Sequence, residues 1–240
     1  MIAISAESED ERALWCTLLD LAEQARDWTL IGARMVELHA AATRRTALRT
    51  SLDGDVLADA RTKPNAVRRV AKILVAKEFA LREPSSMGIG HAFVKGNVAI
   101  DVLAPENLGP RSRELRTTIR GARTVEVPGG RQALARTERV AIRVGGREGV
   151  LPRPNLLGAI LLKARAIEVD DVPENQRSDL AVLFSLVQDP ESLIADLRGR
   201  ERSWLRRHIE MDDLAATAWQ GLREDEARSG LVALRMLAGW

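Results

Sequence analysis

The chain changes character at Asn155. Before it, short strand-like runs alternate with helical ones; after it, every segment reads as helix. Such an order leaves one economical architecture, an α/β (α+β) fold with a mixed β-sheet under helical cover and a helical C-terminal part. The change falls in Leu151-Pro152-Arg153-Pro154-Asn155, so the sequence divides into a candidate catalytic domain over 1–152 and a helical domain over 153–240.

The individual elements follow from spacing. Ser8 with Glu11 three residues on has the pattern of a capping box, and Leu14, Leu18, Leu21 and Ala25 continue at helical intervals to about Arg26. Residues 27–32 read as a strand running into Gly32, and 33–42 as a helix. A strand is expected over 49–58, then a helix from Pro64 to Leu81. Lys95-Gly96-Asn97 is the turn of a hairpin that spans His91 to Ala104. A helix is expected at 111–120, with strands at 124–128 and 138–151, the second turning at Gly145-Gly146. Helices at 155–167, 176–188, 190–197, 201–208, 211–221 and 223–238 complete the chain.

Composition narrows the class. With 240 residues, 45% of them hydrophobic and 29% charged, the chain can bury a core and is not a disordered segment. No run of eighteen apolar residues occurs, and the first residues are acidic rather than basic, which predicts a soluble, cytoplasmic protein. Cys16 is the single cysteine, which excludes an intrachain disulfide or a cysteine-based zinc site; its apolar neighbours predict a core position. The net charge of +2 is small, but residues 44–72 and 111–147 are rich in arginine, as a surface that meets phosphate would be.

The chemistry concentrates on three aspartates. Asp53 and Asp55 alternate on one strand, so their carboxylates leave the same face roughly 6.6 Å apart along the backbone. Like charges so placed call for a cation, and hard oxygen donors suit magnesium or manganese with phosphate oxygens completing the shell. Asp101 sits inside the apolar run Val98 to Leu103, where an uncompensated charge is costly, and a metal shared with the other two would compensate it. Upstream, an apolar strand runs into Gly32 and then directly into a helix, whose first amides could hold phosphate.

In this order the runs LIGARMVELHAAA, RTSLDGDVLAD and VAIDVLAP resemble the nucleotidyltransferase superfamily, and Arg49-Thr50 before Asp53 resembles the AbiEii-type and MenT-type toxins within it. The resemblance covers 27–104, and more loosely 155–187. It implies that Asp53, Asp55 and Asp101 hold Mg2+ or Mn2+ with a nucleoside triphosphate, Asp101 being either a third ligand or the base for the acceptor hydroxyl. It further implies phosphate binding by Gly32, Ala33, Arg49 and Thr50 or Ser51, a charge-neutralising Lys163 and an orienting Asp179. Ala33 departs from the glycine or serine of the family's motif, which removes a hydroxyl contact. The implied activity is transfer of a nucleoside monophosphate to an acceptor such as a tRNA 3′ end, with a cognate antitoxin as protein partner and no membrane. An antibiotic-modifying nucleotidyltransferase and a non-catalytic nucleotide-binding protein are the alternatives.

Other residues carry weaker signals. His39, His91 and His208 read as packing or surface positions, and the five Trp residues are too scattered to form a stacking platform. Arg111, Arg113, Arg116, Arg120 and Arg123 mark a candidate path for an acceptor RNA, several of them on one side of the expected 111–120 helix.

Overall fold

The structure, a computed structural model, describes residues 1–45, 48, 51–109 and 112–240. It is the mixed α/β arrangement expected from the sequence. Strand β1 (Ile2–Ile4) and helix α1 (Glu9–Gln24) open the chain, followed by β2 (Trp28–Ile31), α2 (Gly32–Ala42) and β3 (Asp53–Ala58). After α3 (Ala66–Ala76) come β4 (Ala80–Leu81), β5 (Ala92–Lys95) and β6 (Val98–Pro105). Next are α4 (Ser112–Leu115), β7 (Glu126–Val127), α5 (Gly130–Ala135) and the hairpin β8 (Thr137–Val144) with β9 (Arg147–Pro154). The remainder is helical: α6 (Leu156–Ala166), α7 (Pro173–Ser185), α8 (Pro190–Ala195), α9 (Glu201–Leu205) and α10 (Glu224–Ala238).

The larger sheet has the order β2-β3-β6-β5-β4, with β7 beside the end of β6. Its centre is the parallel pair β3–β6, flanked by antiparallel β2 and β5. One face is apolar and lies against α1. Gly54 belongs to it, and a Cβ there would stand 2.9 Å from Leu14 Cδ1, so only glycine lets the helix come this close. The smaller sheet, β1-β8-β9, lays β9 against β2 and also packs on α1, where Gly149 meets Leu19.

Local chemistry accounts for the helix ends. The Ser8 hydroxyl accepts from the Glu11 amide, as a capping residue should, while the Glu11 carboxylate reaches back to the Glu7 amide at 2.8 Å. Helix α3 stops five residues short of the expected Leu81, because Glu78 takes a positive φ of 66° and the Phe79 amide bonds back to Leu74. Ala80 and Leu81 then pair with β5 instead. The expected helix at 111–120 is only α4, since Thr117 bridges Arg123 and the Thr124 amide bonds to Arg116 O, turning the chain back on itself. The expected helix at 211–221 is two 3-10 turns, Ile209–Met211 and Thr217–Trp219. Cys16 is half-buried rather than core, and the buried neighbour is Trp15. Strands β1 and β4 and helix α5 are further elements of the fold. Among the described residues no helix is long and apolar enough to cross a membrane.

One hydrophobic cluster runs from Leu14 through the sheets to Leu237, so the apolar core continues across residue 153. Pro152 and Pro154 lie in the buried end of β9. Polar ties cross the same place. His39 on α2 is 5% exposed and donates Nε2–H to Pro154 O at 3.0 Å, and Arg153 Nη1 donates to Leu38 O at 2.8 Å.

Burial, followed by the positive charge of Arg153, pushes the His39 pKa down to about 3. The folded protein therefore keeps His39 neutral where the unfolded chain protonates it, and stability falls as pH drops from about 6.5 toward 3. His39 alone should make the protein about 2 kcal/mol less stable at pH 5 than at pH 7. Urea denaturation at the two pH values should show that difference shrinking by about this amount in H39Q.

Candidate functional site

The site begins where β2 gives way to α2. Ile31 pairs with Asp55 across the antiparallel β2–β3 ladder, and Gly32 follows with φ +70°. A Cβ on Gly32 would lie 1.7 Å from Asp55 Oδ2, so the helix can start here only because residue 32 has no side chain. Ala33, the next residue, is buried, and Ile31, at the N-cap of α2, makes no side-chain hydrogen bond to the helix amides.

Asp53 and Asp55 occupy alternate positions of β3, on the face opposite Gly54. In the parallel β3–β6 ladder Asp53 stands opposite Ala99 and Asp55 opposite Asp101. Partners in register share a face, so all three aspartates lie on the face turned away from α1. Farther along β3 that face is closed by α5, where Gly130 meets Leu57. The carboxylates therefore mark the end of the sheet that α5 leaves uncovered: Asp53 is exposed, and Asp55 and Asp101 are half-buried. Ser51 Oγ, just before the strand, accepts from the Asp53 amide at 3.1 Å. Arg49, Thr50 and Arg111 lie outside the described residues.

Asp101 is the electrostatic focus. Burial raises its carboxyl pKa and the negative charge of Asp53 adds to that, while His91 and Arg82 act in the opposite direction. His91 Nε2 stands 3.7 Å from Asp101 Oδ2, and its buried Nδ1 has no hydrogen-bond partner among the described residues. Its own segment gives His91 only the pattern of a packing or surface position. Its place beside Asp101 is legible only through strand pairing, because Ala92 is the residue opposite Asp101 across β5–β6.

The donor set bears on which cation fits. Crowded oxygen donors on one sheet face suit a hard divalent ion. Among the described residues, however, no three His, Cys, Asp or Glu side chains converge closely enough to hold a metal by themselves. Two carboxylates completed by phosphate oxygens and water match the usual coordination of magnesium.

Lys163 and Asp179 form a pair of their own between α6 and α7. Lys163 is 3% exposed and donates to Asp179 Oδ2 at 2.7 Å and to Gln176 Oε1 at 2.8 Å. These two bonds use two of the three N–H donors of the ammonium. A second buried charge, Arg34, is 1% exposed, paired with Glu11 at 3.0 Å and Glu37 at 2.5 Å, and sits 5.6 Å from the Trp15 ring centroid. Of the arginines expected along a helix, Arg113 lies in α4, whereas Arg116, Arg120 and Arg123 belong to the turned-back segment after it, with Arg116 facing Glu126 at 3.5 Å.

Comparison with protein-family models, with curated proteins and with solved structures finds no match. The site's own geometry therefore carries the functional reading.

Two substitutions probe this geometry. Gly32→Ala should cost at least about 1–2 kcal/mol from its positive φ, plus the displacement of Asp55. In an Asp55→Ala background, which removes the nearest carboxylate atoms, a double-mutant cycle in urea should give a smaller cost. Asp179→Ala strands a buried ammonium and should cost about 3–5 kcal/mol, whereas Lys163→Met with Asp179→Leu should recover most of it.

Proposed function

We propose that this chain is a metal-dependent nucleotidyltransferase that moves a nucleoside monophosphate from a triphosphate to an acceptor hydroxyl and releases pyrophosphate. The observation that supports it best is the register of Asp55 opposite Asp101, with Asp53 on the same face and Gly32 packed against Asp55. Such an arrangement serves in-line displacement at phosphorus, where chemistry depends on positioning and on charge neutralisation.

In this reading Asp53 and Asp55 hold a divalent cation together with the triphosphate. The cation supplies charge neutralisation on the phosphate oxygens. Amides at the start of α2 face the phosphates with the positive end of the helix dipole. Asp101, whose burial raises its affinity for a proton, accepts the proton of the acceptor hydroxyl. The acceptor oxygen bonds to the α-phosphorus as the bond to pyrophosphate breaks. Lys163, paired with Asp179 between α6 and α7, neutralises charge on the triphosphate, and Asp179 orients it, as the resemblance implies. By the sequence resemblance, the acceptor is the 3′ end of a tRNA, the cellular role that of a toxin, and the protein partner an antitoxin.

The test is incubation of the protein and Mg2+ with each labelled triphosphate in turn and total tRNA, reading label in RNA and pyrophosphate release. Asp55→Ala should reduce transfer by at least about a thousandfold with its circular dichroism unchanged. Undiminished transfer in that variant would refute the assignment. Pyrophosphate release without labelled RNA would point to a small-molecule acceptor, and metal-dependent nucleotide binding without release to a binding protein.

A further inference from the structure

Outside the aspartate face, a cleft of about 200 Å³ is built where the 113–123 loop folds against residues 87–88. Arg113 and Arg123 form its charged wall, and Gly88, Gly121 and Ala122 form much of the rest. Among the described residues the Arg113 side chain has no ion-pair or hydrogen-bond partner. Arg123 Nε is buried with no acceptor among the described residues, and its Nη2 has one long contact, 3.4 Å to Met87 O. A buried N–H donor without a partner is costly to keep. Two guanidiniums beside one small hollow, neither facing a carboxylate, suit a doubly coordinated oxyanion.

The frame of the cleft is rigid. Arg123 N donates to Gly88 O at 3.0 Å, Gly90 N to Arg123 O at 2.9 Å, and Thr118 Oγ1 to Gly90 O at 2.9 Å. The same segment leads to the aspartates. Gly88 lies three residues before His91, a reach of at most about 11 Å along the chain, and His91 is 3.7 Å from Asp101. An anion in the cleft and a hydroxyl at Asp101 are therefore a short stretch of polymer apart.

We propose that the Arg113–Arg123 cleft binds a backbone phosphate of a single-stranded nucleic acid and so holds the acceptor strand as its terminal hydroxyl enters the aspartate face. The strand's role as acceptor rests on the nucleotidyltransferase reading; the phosphate site rests on the cleft alone. A phosphodiester fits better than a free anion because one strand can occupy the cleft and reach Asp101 together.

Fluorescence anisotropy with a short labelled single-stranded RNA, without triphosphate, tests this. Arg113→Glu, at an exposed position whose side chain supports no other element, should weaken binding at least tenfold. Combining it with Arg123→Gln should also flatten the dependence of log Kd on log salt by about 0.7 for each phosphate that the cleft no longer neutralises. Unchanged affinity and slope in both variants would overturn the proposal. So would wild-type protein that ignores RNA while the cleft binds an acidic peptide such as polyglutamate, which would make the site a protein-docking one. RNA binding that depends on the cleft in a protein that never consumes triphosphate supports the phosphate site and overturns only the transfer chemistry.

Discussion

Arg34 carries a full charge into the interior one turn into α2, where it is neutralised by Glu11 from α1 and Glu37 from its own helix. Removing both acids would leave a buried guanidinium uncompensated, a far larger penalty than the loss of a surface ion pair, and removing one would leave it a single partner. The cluster thus fixes α2 on α1 in one rotation. Because α1 also lies on Gly54, the same contact fixes α2 against the sheet, and its first residue, Gly32, against Asp55. The aspartate face depends on this brace. Glu37 shows the strain of the arrangement, since burial raises its pKa despite the nearby arginine.

The two faces of β3 divide the work. Gly54 and Val56 turn inward and let α1 close on the sheet, while Asp53 and Asp55 turn outward. The alternation of a single strand therefore packs one face on α1 and gathers carboxylates on the other, and a one-residue slip of β3 against β6 would exchange them. The parallel register is held by apolar pairs on either side of the aspartates, Gly54 with Ile100 and Val56 with Val102.

Much of this was legible in the sequence. Period-two spacing put Asp53 and Asp55 on one face, and the Lys95–Asn97 turn predicted the hairpin that carries Asp101. Local signals failed where distant parts of the chain decide. A helix is expected over 111–120, yet the chain after α4 turns back and Arg123 bonds to the backbone of Gly88 and Gly90. His91 gained its meaning from a neighbour across a strand pair, which spacing within one segment cannot reveal. Arg34 has no local mark of burial, because its partner Glu11 lies 23 positions away. Lys163 and Asp179 belong to helices that were expected, but their closure on each other depends on how α6 and α7 pack.

Strand β1 has a consequence for the order of events during synthesis. Ile2 to Ile4 pair in parallel with Ile142 to Val144, so the first strand has no partner until about 140 further residues exist. At roughly 5–20 residues per second, that delay is on the order of ten to thirty seconds. The aspartate-bearing sheet is complete in sequence by residue 127, so it can assemble before β8 exists and while β1 is still unpaired. The small sheet is then closed by residues made about 140 positions before their partners.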